Sequence, residues 1–197
     1  MVDWHSRVRP AGQHRGVTEP LALPKEARRR RLRPLLRASS YVKRGRARCF
    51  VCAITARDPL YDNHVVYEDD HSIAFLAKWP PLWGHVLVAP KEHCEHVVTD
   101  FTGDDYVRLQ AVVHRVGDAV SRAVPCERLY VLSLGSQQLN RHVHWHVAPL
   151  PPGVPLPRQQ FRAFSHLFTG EVECPDHCWE ELADRIRAEV RDTNAPQ

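Results

Sequence analysis

The sequence predicts an α+β domain built on an antiparallel sheet, and three observations carry that expectation. Short runs of β-branched and aliphatic residues come in pairs separated by a few polar residues. A long amphipathic stretch with helical spacing stands between two such groups. Finally RHVHWHVAPL, residues 141–150, puts a histidine at every second position, a period that a strand, not a helix, turns into a single face.

Taken along the chain, HVVYED (64–69) and SIAFLAK (72–78) are apolar runs split by Asp70 and His71, which reads as a hairpin. The Pro-rich loop WPPLWG follows, and HVLVAP (85–90) is a third strand. Over 103–124, Tyr106, Leu109, Val113, Val116 and Val120 fall at helical spacing, and Pro125 ends that helix. RLYVLSLG (128–135) and HVHWHVAPL (142–150) are two more strands joined by a polar turn. After PLPPGVP the chain reads as a linker and C-terminal helices, the last over about 178–191. Strands with one long helix between them give the antiparallel α+β class. The expected organisation is a basic extension over 1–48, a domain over 49–157 and a helical tail over 158–197.

Composition narrows the setting. Hydrophobic residues make up 43% of the 197, enough for a sizeable core. No apolar run reaches the roughly 20 residues of a membrane span, and MVDWHSRVRP lacks the apolar stretch of a secretory signal. The expected compartment is a reducing cytoplasm, with the six cysteines as thiols or metal ligands. Residues 1–48 hold 14 Lys/Arg against 3 Asp/Glu, a net of +11, and the remainder nets −7. The densest run, Arg28 to Arg31 in KEARRRRLRPLLRASS, reads as a short basic helix interrupted at Pro34. A solvated or docking arm is preferred over a nucleic-acid contact, because no aromatics interleave the arginines.

On a strand, His142, His144 and His146 project to one face with Cα atoms roughly 7 Å apart, while Val143, Trp145 and Val147 form the other. That spacing suits one ring per task better than three rings on one ion. A neutral imidazole nitrogen attacks phosphorus and leaves again, dividing one displacement into two. A protonated neighbour stabilises phosphate oxygens or the leaving group. CFVC (49–52) has the spacing that seats two thiolates on one tetrahedral ion, although a redox pair shares it.

His-x-His-x-His followed by two apolar residues resembles the signature of the histidine-triad (HIT) superfamily of nucleotidyl hydrolases and transferases. CFVC at 49–52, VVYEDDHSIAFL at 65–76 and GHVLVAPKEH at 84–93 precede it in the family's order, so the resemblance runs from about Cys49 to Leu150. It implies a HIT-like fold, His144 as nucleophile towards the α-phosphorus of a nucleotide, and His146 as the phosphate contact that assists departure. It places Gln138 in the phosphate-holding turn, with Ser136 and Asn140 as candidate helpers. The turn departs from the family at Gln137 and Leu139, and Ala77 stands where relatives carry Asp or Asn for the ribose hydroxyls. Trp79 or Trp83 could stack on a base, or simply pack. Zinc-bearing relatives imply a structural zinc on Cys49, Cys52, His93 and His142, with Cys94 and His96 close in sequence to the third ligand. The resemblance also implies a nucleotide substrate and a homodimer. The departures motivate an alternative, a nucleotide-binding protein with little turnover. The basic arm motivates another, an enzyme that processes nucleic-acid adenylates. ECPDHC, with Cys174, His177 and Cys178, is read as packing rather than a second metal site.

Overall fold

The computed structural model describes residues 19–30, 49–133, 141–164 and 170–192. Its elements are strand β1 (Arg28–Arg30), helix α1 (Phe50–Thr55), strands β2 (Val65–Glu68), β3 (Ser72–Leu76) and β4 (Val86–Pro90), and helix α2 (Gly103–Ala123). Strands β5 (Arg128–Leu132) and β6 (Trp145–Leu150), helix α3 (Gln159–Phe164), strand β7 (Glu171–Glu173) and helix α4 (Asp176–Asp192) complete it. Five strands form one antiparallel sheet in the order β2-β3-β4-β6-β5. The α+β class expected from the sequence is the class observed.

The β2–β3 hairpin forms where Asp69 turns the chain. Its carboxylate accepts from the N–H groups of His71 (2.8 Å) and Ser72 (2.6 Å) and from the Tyr67 hydroxyl (2.7 Å). Helix α2 starts at Thr102, whose side chain accepts from the Asp105 N–H at 3.1 Å, and Asp104 and Asp105 complement the dipole of its first turn. Val124, held extended by the following proline, ends it.

The sheet separates two cores. On one face, Val86, Val88, Val143, Trp145 and Val147 pack against Leu109, Val113, Val116 and Val120 of α2 and Leu182 and Ile186 of α4. On the other, a smaller cluster joins Phe50, Val51 and Ile54 of α1 to Ile73, Phe75, Ala77, Leu87 and Ala89. Alternation along 143–147 thus sends valine and tryptophan to the large core and leaves the histidines for the face that carries α1.

Two sequence expectations are corrected. The strand read over 142–150 begins at Trp145, so His142 and His144 lie just ahead of regular pairing. The cause is Pro90 at the end of β4, which has no N–H to donate. Pairing stops at Val88 opposite Trp145, and the Val143 N–H instead reaches the Cys94 carbonyl at 2.8 Å. The basic run at 28–30 is a strand rather than a helix. It pairs antiparallel with β7, setting Arg28 opposite Glu173 and Arg30 opposite Glu171. On a helix Arg28 and Arg31, three apart, would share a face and repel, whereas opposite charges across strands, as at Arg28 and Glu173, attract. The segment is tied to the rest: the Ala123 carbonyl accepts from the Leu21 N–H at 2.8 Å, and Trp83 donates to the Leu21 carbonyl at 3.1 Å.

Candidate functional site

The histidines are held by different partners, and for His142 and His144 a backbone carbonyl fixes the tautomer. His144 Nδ1 lies 2.8 Å from the His142 carbonyl. A carbonyl oxygen only accepts, so Nδ1 carries the proton and Nε2 presents a bare lone pair. Burial pulls the His144 pKa below the usual imidazole value, which keeps the ring neutral. The ring meets Phe50 edge-on, with centroids 5.9 Å apart. His146 is its neighbour at 4.9 Å between centroids. Behind His146 stands His85, almost fully buried, with Nε2 3.1 Å from His146 Nδ1. The place of His85 follows from strand pairing and carries no local signal in the sequence. Leu87 of β4 pairs with His146, so a residue two positions earlier shares its face.

His142 does a different job. It is 1% exposed, and its Nε2 donates to the Pro90 carbonyl at 2.9 Å. That leaves Nδ1 facing the thiols, 3.3 Å from Cys49 Sγ and 3.6 Å from Cys52 Sγ. His93 Nδ1 lies 3.4 Å from Cys52 Sγ. Ligand atoms of Cys49, Cys52, His93 and His142 all fall within 4.8 Å of one another. Zinc–sulfur and zinc–nitrogen bonds of ordinary length, set at tetrahedral angles, put S and N about 3.6 Å apart. The donor set and its spacing therefore fit a four-coordinate metal ion. Burial holds His142 down to about 4, so the ring stays in its neutral, ligating form. Cys94 and His96 are not in the group. The elements that assemble it are the start of α1, the loop after β4 and the chain ahead of β6.

Known proteins resemble this chain in sequence and fold. The HIT domain model matches residues 59–152. An uncharacterised HIT-like protein of Saccharolobus solfataricus is 32% identical over 105 residues, 51% of this chain and 73% of that protein. The chain belongs to the HIT family. The hit protein of Bacillus subtilis is 31% identical over 104 residues, 51% of this chain and 70% of its own. Among solved structures, a hypothetical histidine-triad nucleotide-binding protein of Sulfolobus tokodaii superposes with a TM-score of 0.59 at 29% identity, covering 73% of this chain and 93% of that one. A zinc-bound histidine-triad family protein of Mycobacterium smegmatis shares the fold, with a TM-score of 0.60 at 24% identity over 77% and 99%.

The remaining expected residues of this HIT protein are placed unevenly. Ser136, Gln138 and Asn140 lie outside the described residues. Trp79 lines a cleft of about 720 Å³ together with Lys25, Arg28, Cys174 and Trp179, rather than joining the histidines. Trp83 is buried against Trp179, with ring centroids 5.0 Å apart, and packs. Cys178 is buried, and with Cys174 and His177 it forms no metal-ligating group among the described residues. No helix among those residues is long and apolar enough to cross a membrane.

Proposed function

We propose that this HIT protein is a nucleotide hydrolase or nucleotidyltransferase that cleaves a phosphoanhydride or phosphoramidate through a nucleotidyl-histidine on His144. Family membership supports nucleotide processing in general. The observation that supports the finer reading is the 2.8 Å bond from His144 Nδ1 to the His142 carbonyl, which leaves Nε2 unprotonated and able to attack. In the first step Nε2 forms a bond to the α-phosphorus as the bond to the leaving group breaks, and His146 supplies a proton to that group. In the second, water or another acceptor attacks the same phosphorus, Nε2 leaves, and His146 removes a proton from the attacking oxygen, which restores its starting state. Two easier displacements replace one difficult one. His85 holds the His146 ring in place throughout.

The four-residue cluster is read as a structural zinc site. All four positions are protein ligands, which closes the ion to substrate, and a zinc-bound relative shares the fold. A homodimer is the accompanying reading, supported by β5 standing last in the sheet order with Val131 46% exposed. Sedimentation of a monomer at micromolar concentration would remove it. A second reading, nucleotide binding with little turnover, is favoured only by Ala77, a buried methyl with no group for a ribose hydroxyl.

One experiment covers both functional readings. The protein is challenged with dinucleoside polyphosphates, nucleotide sugars and nucleoside phosphoramidates labelled at the α-phosphate, then quenched in alkali, which phosphoramidates survive. Label should appear on the wild-type chain and be absent from His144→Ala. His146→Ala should keep a residual rate, down about 10²–10³-fold, because electrostatic help is graded whereas nucleophilic attack is not. Binding without turnover across the panel would instead favour the second reading, and full activity in His144→Ala would end the first.

A further inference from the structure

The two histidines of the metal cluster are oriented in the same way, and only one of them relies on backbone to do it. His142 turns Nδ1 to the thiols and donates its Nε2 hydrogen to the Pro90 carbonyl at 2.9 Å. His93 also turns Nδ1 to a thiol, 3.4 Å from Cys52 Sγ, and its Nε2 faces Glu95 Oε1 at 3.3 Å. We propose that Glu95 is a positioning residue of the metal site, whose carboxylate fixes the His93 tautomer and aim and so raises the affinity for zinc. This rests on the zinc reading above.

The geometry of the loop supports the assignment. The Asp100 carboxylate accepts from the Glu95 N–H at 2.8 Å and from the His96 N–H at 2.9 Å. The Cys94 carbonyl accepts from Val143, so the same loop is tied to the strand of histidines. Glu95 therefore reaches back to His93 from a fixed backbone. An ionised carboxylate can only accept, which puts the hydrogen on Nε2 and leaves Nδ1 to ligate. Charge points the same way. Two thiolates, a dication and two neutral imidazoles sum to zero, and Glu95 adds a negative charge outside the ligand sphere that makes the imidazole a stronger donor. Partners of this kind change metal affinity by about 10–100-fold when lost. His93 and Glu95 are 40% and 31% exposed, so water shares the contact and the lower end applies.

The test uses the full chain loaded with zinc, competed against a chromogenic chelator, in wild type, Glu95→Ala and Glu95→Gln. Glu95→Ala should bind zinc about tenfold more weakly, with one ion per chain at saturation and an unchanged melting temperature for the metal-free chain. Glu95→Gln keeps an acceptor and loses the charge, so it should fall between. In long-range proton–nitrogen spectra of the zinc form, the His93 Nε2–H should exchange with water faster in Glu95→Ala than in wild type. Both variants within twofold of wild-type affinity would overturn the role of Glu95 and leave the zinc reading standing. A wild-type chain that binds no zinc would sink the zinc reading itself, and this one with it.

Discussion

Asp69 shows how much a single carboxylate does at a turn. Three donors converge on it, from Tyr67, His71 and Ser72. Burial alone would raise its pKa, but those bonds outweigh burial and hold it below the usual aspartate value. A folded-state pKa below the unfolded value of about 3.9 adds stability above that pH, and the gain is lost as pH falls through the lower value. Asp69→Ala should destabilise the chain by about 1 kcal/mol in urea titrations at pH 7, the site being only partly buried. Below about pH 4 the difference between variant and wild type should shrink. An equal difference at pH 7 and pH 3 would show that the charge of Asp69 is not what stabilises the turn. At this scale the CFVC spacing marks Cys49 and Cys52 as a thiol pair, whereas His93 and His142 are reached only through the resemblance to zinc-bearing relatives. His85 is marked by neither, because its meaning depends on pairing with a strand about 60 residues away in the chain.

Between β3 and β4, Gly84 sits at φ +81°, in the region that favours glycine. A Cβ there would come within 2.9 Å and 3.1 Å of the two Val124 methyls and 3.3 Å of the Pro149 ring. Gly84→Ala should cost about 2 kcal/mol, measured by thermal or chemical unfolding. Turnover should fall as well, since the next residue is His85, whose ring holds His146. A variant as stable as wild type would show that the turn relaxes freely. Elements whose pattern is local were readable in advance: the β2–β3 hairpin, and α2 with its buried Leu109, Val113, Val116 and Val120. The arginine strand β1 was not, because its pairing needs Glu171 and Glu173, more than 140 positions on. The start of β6 was misplaced for a similar reason, Pro90 being on another strand.

At the scale of the whole chain, two features join segments distant in sequence. Cys49, Cys52, His93 and His142 bring together α1, the loop after β4 and the chain ahead of β6, and the proposed zinc would clip them. Cys49→Ser or Cys52→Ser should lower both bound zinc and melting temperature, and chelation of the wild type should reproduce the drop, because binding energy at such a site is also folding energy. Metal-free protein of undiminished stability would contradict a structural ion.

Helix α4 is the second joint. Leu182, Ala183, Ile186 and Val190 enter the same core as α2 and the sheet. At its edge, Arg122 reaches Glu189 at 2.9 Å with both side chains 12% exposed. The face α2 turns to α4 would otherwise meet water, so the tail is expected to unfold together with the domain although the matched HIT domain ends at residue 152. Ile186 is fully buried, and Ile186→Ala removes its packing without adding a polar group. The cost should be about 2–5 kcal/mol, the range for truncating a buried aliphatic side chain. The expected result is a single unfolding transition shifted to lower denaturant, followed both by a signal from α4 and by Trp145 fluorescence in the sheet. Two separated transitions, with the sheet unaffected, would show that the tail folds apart from the domain and only rests against it.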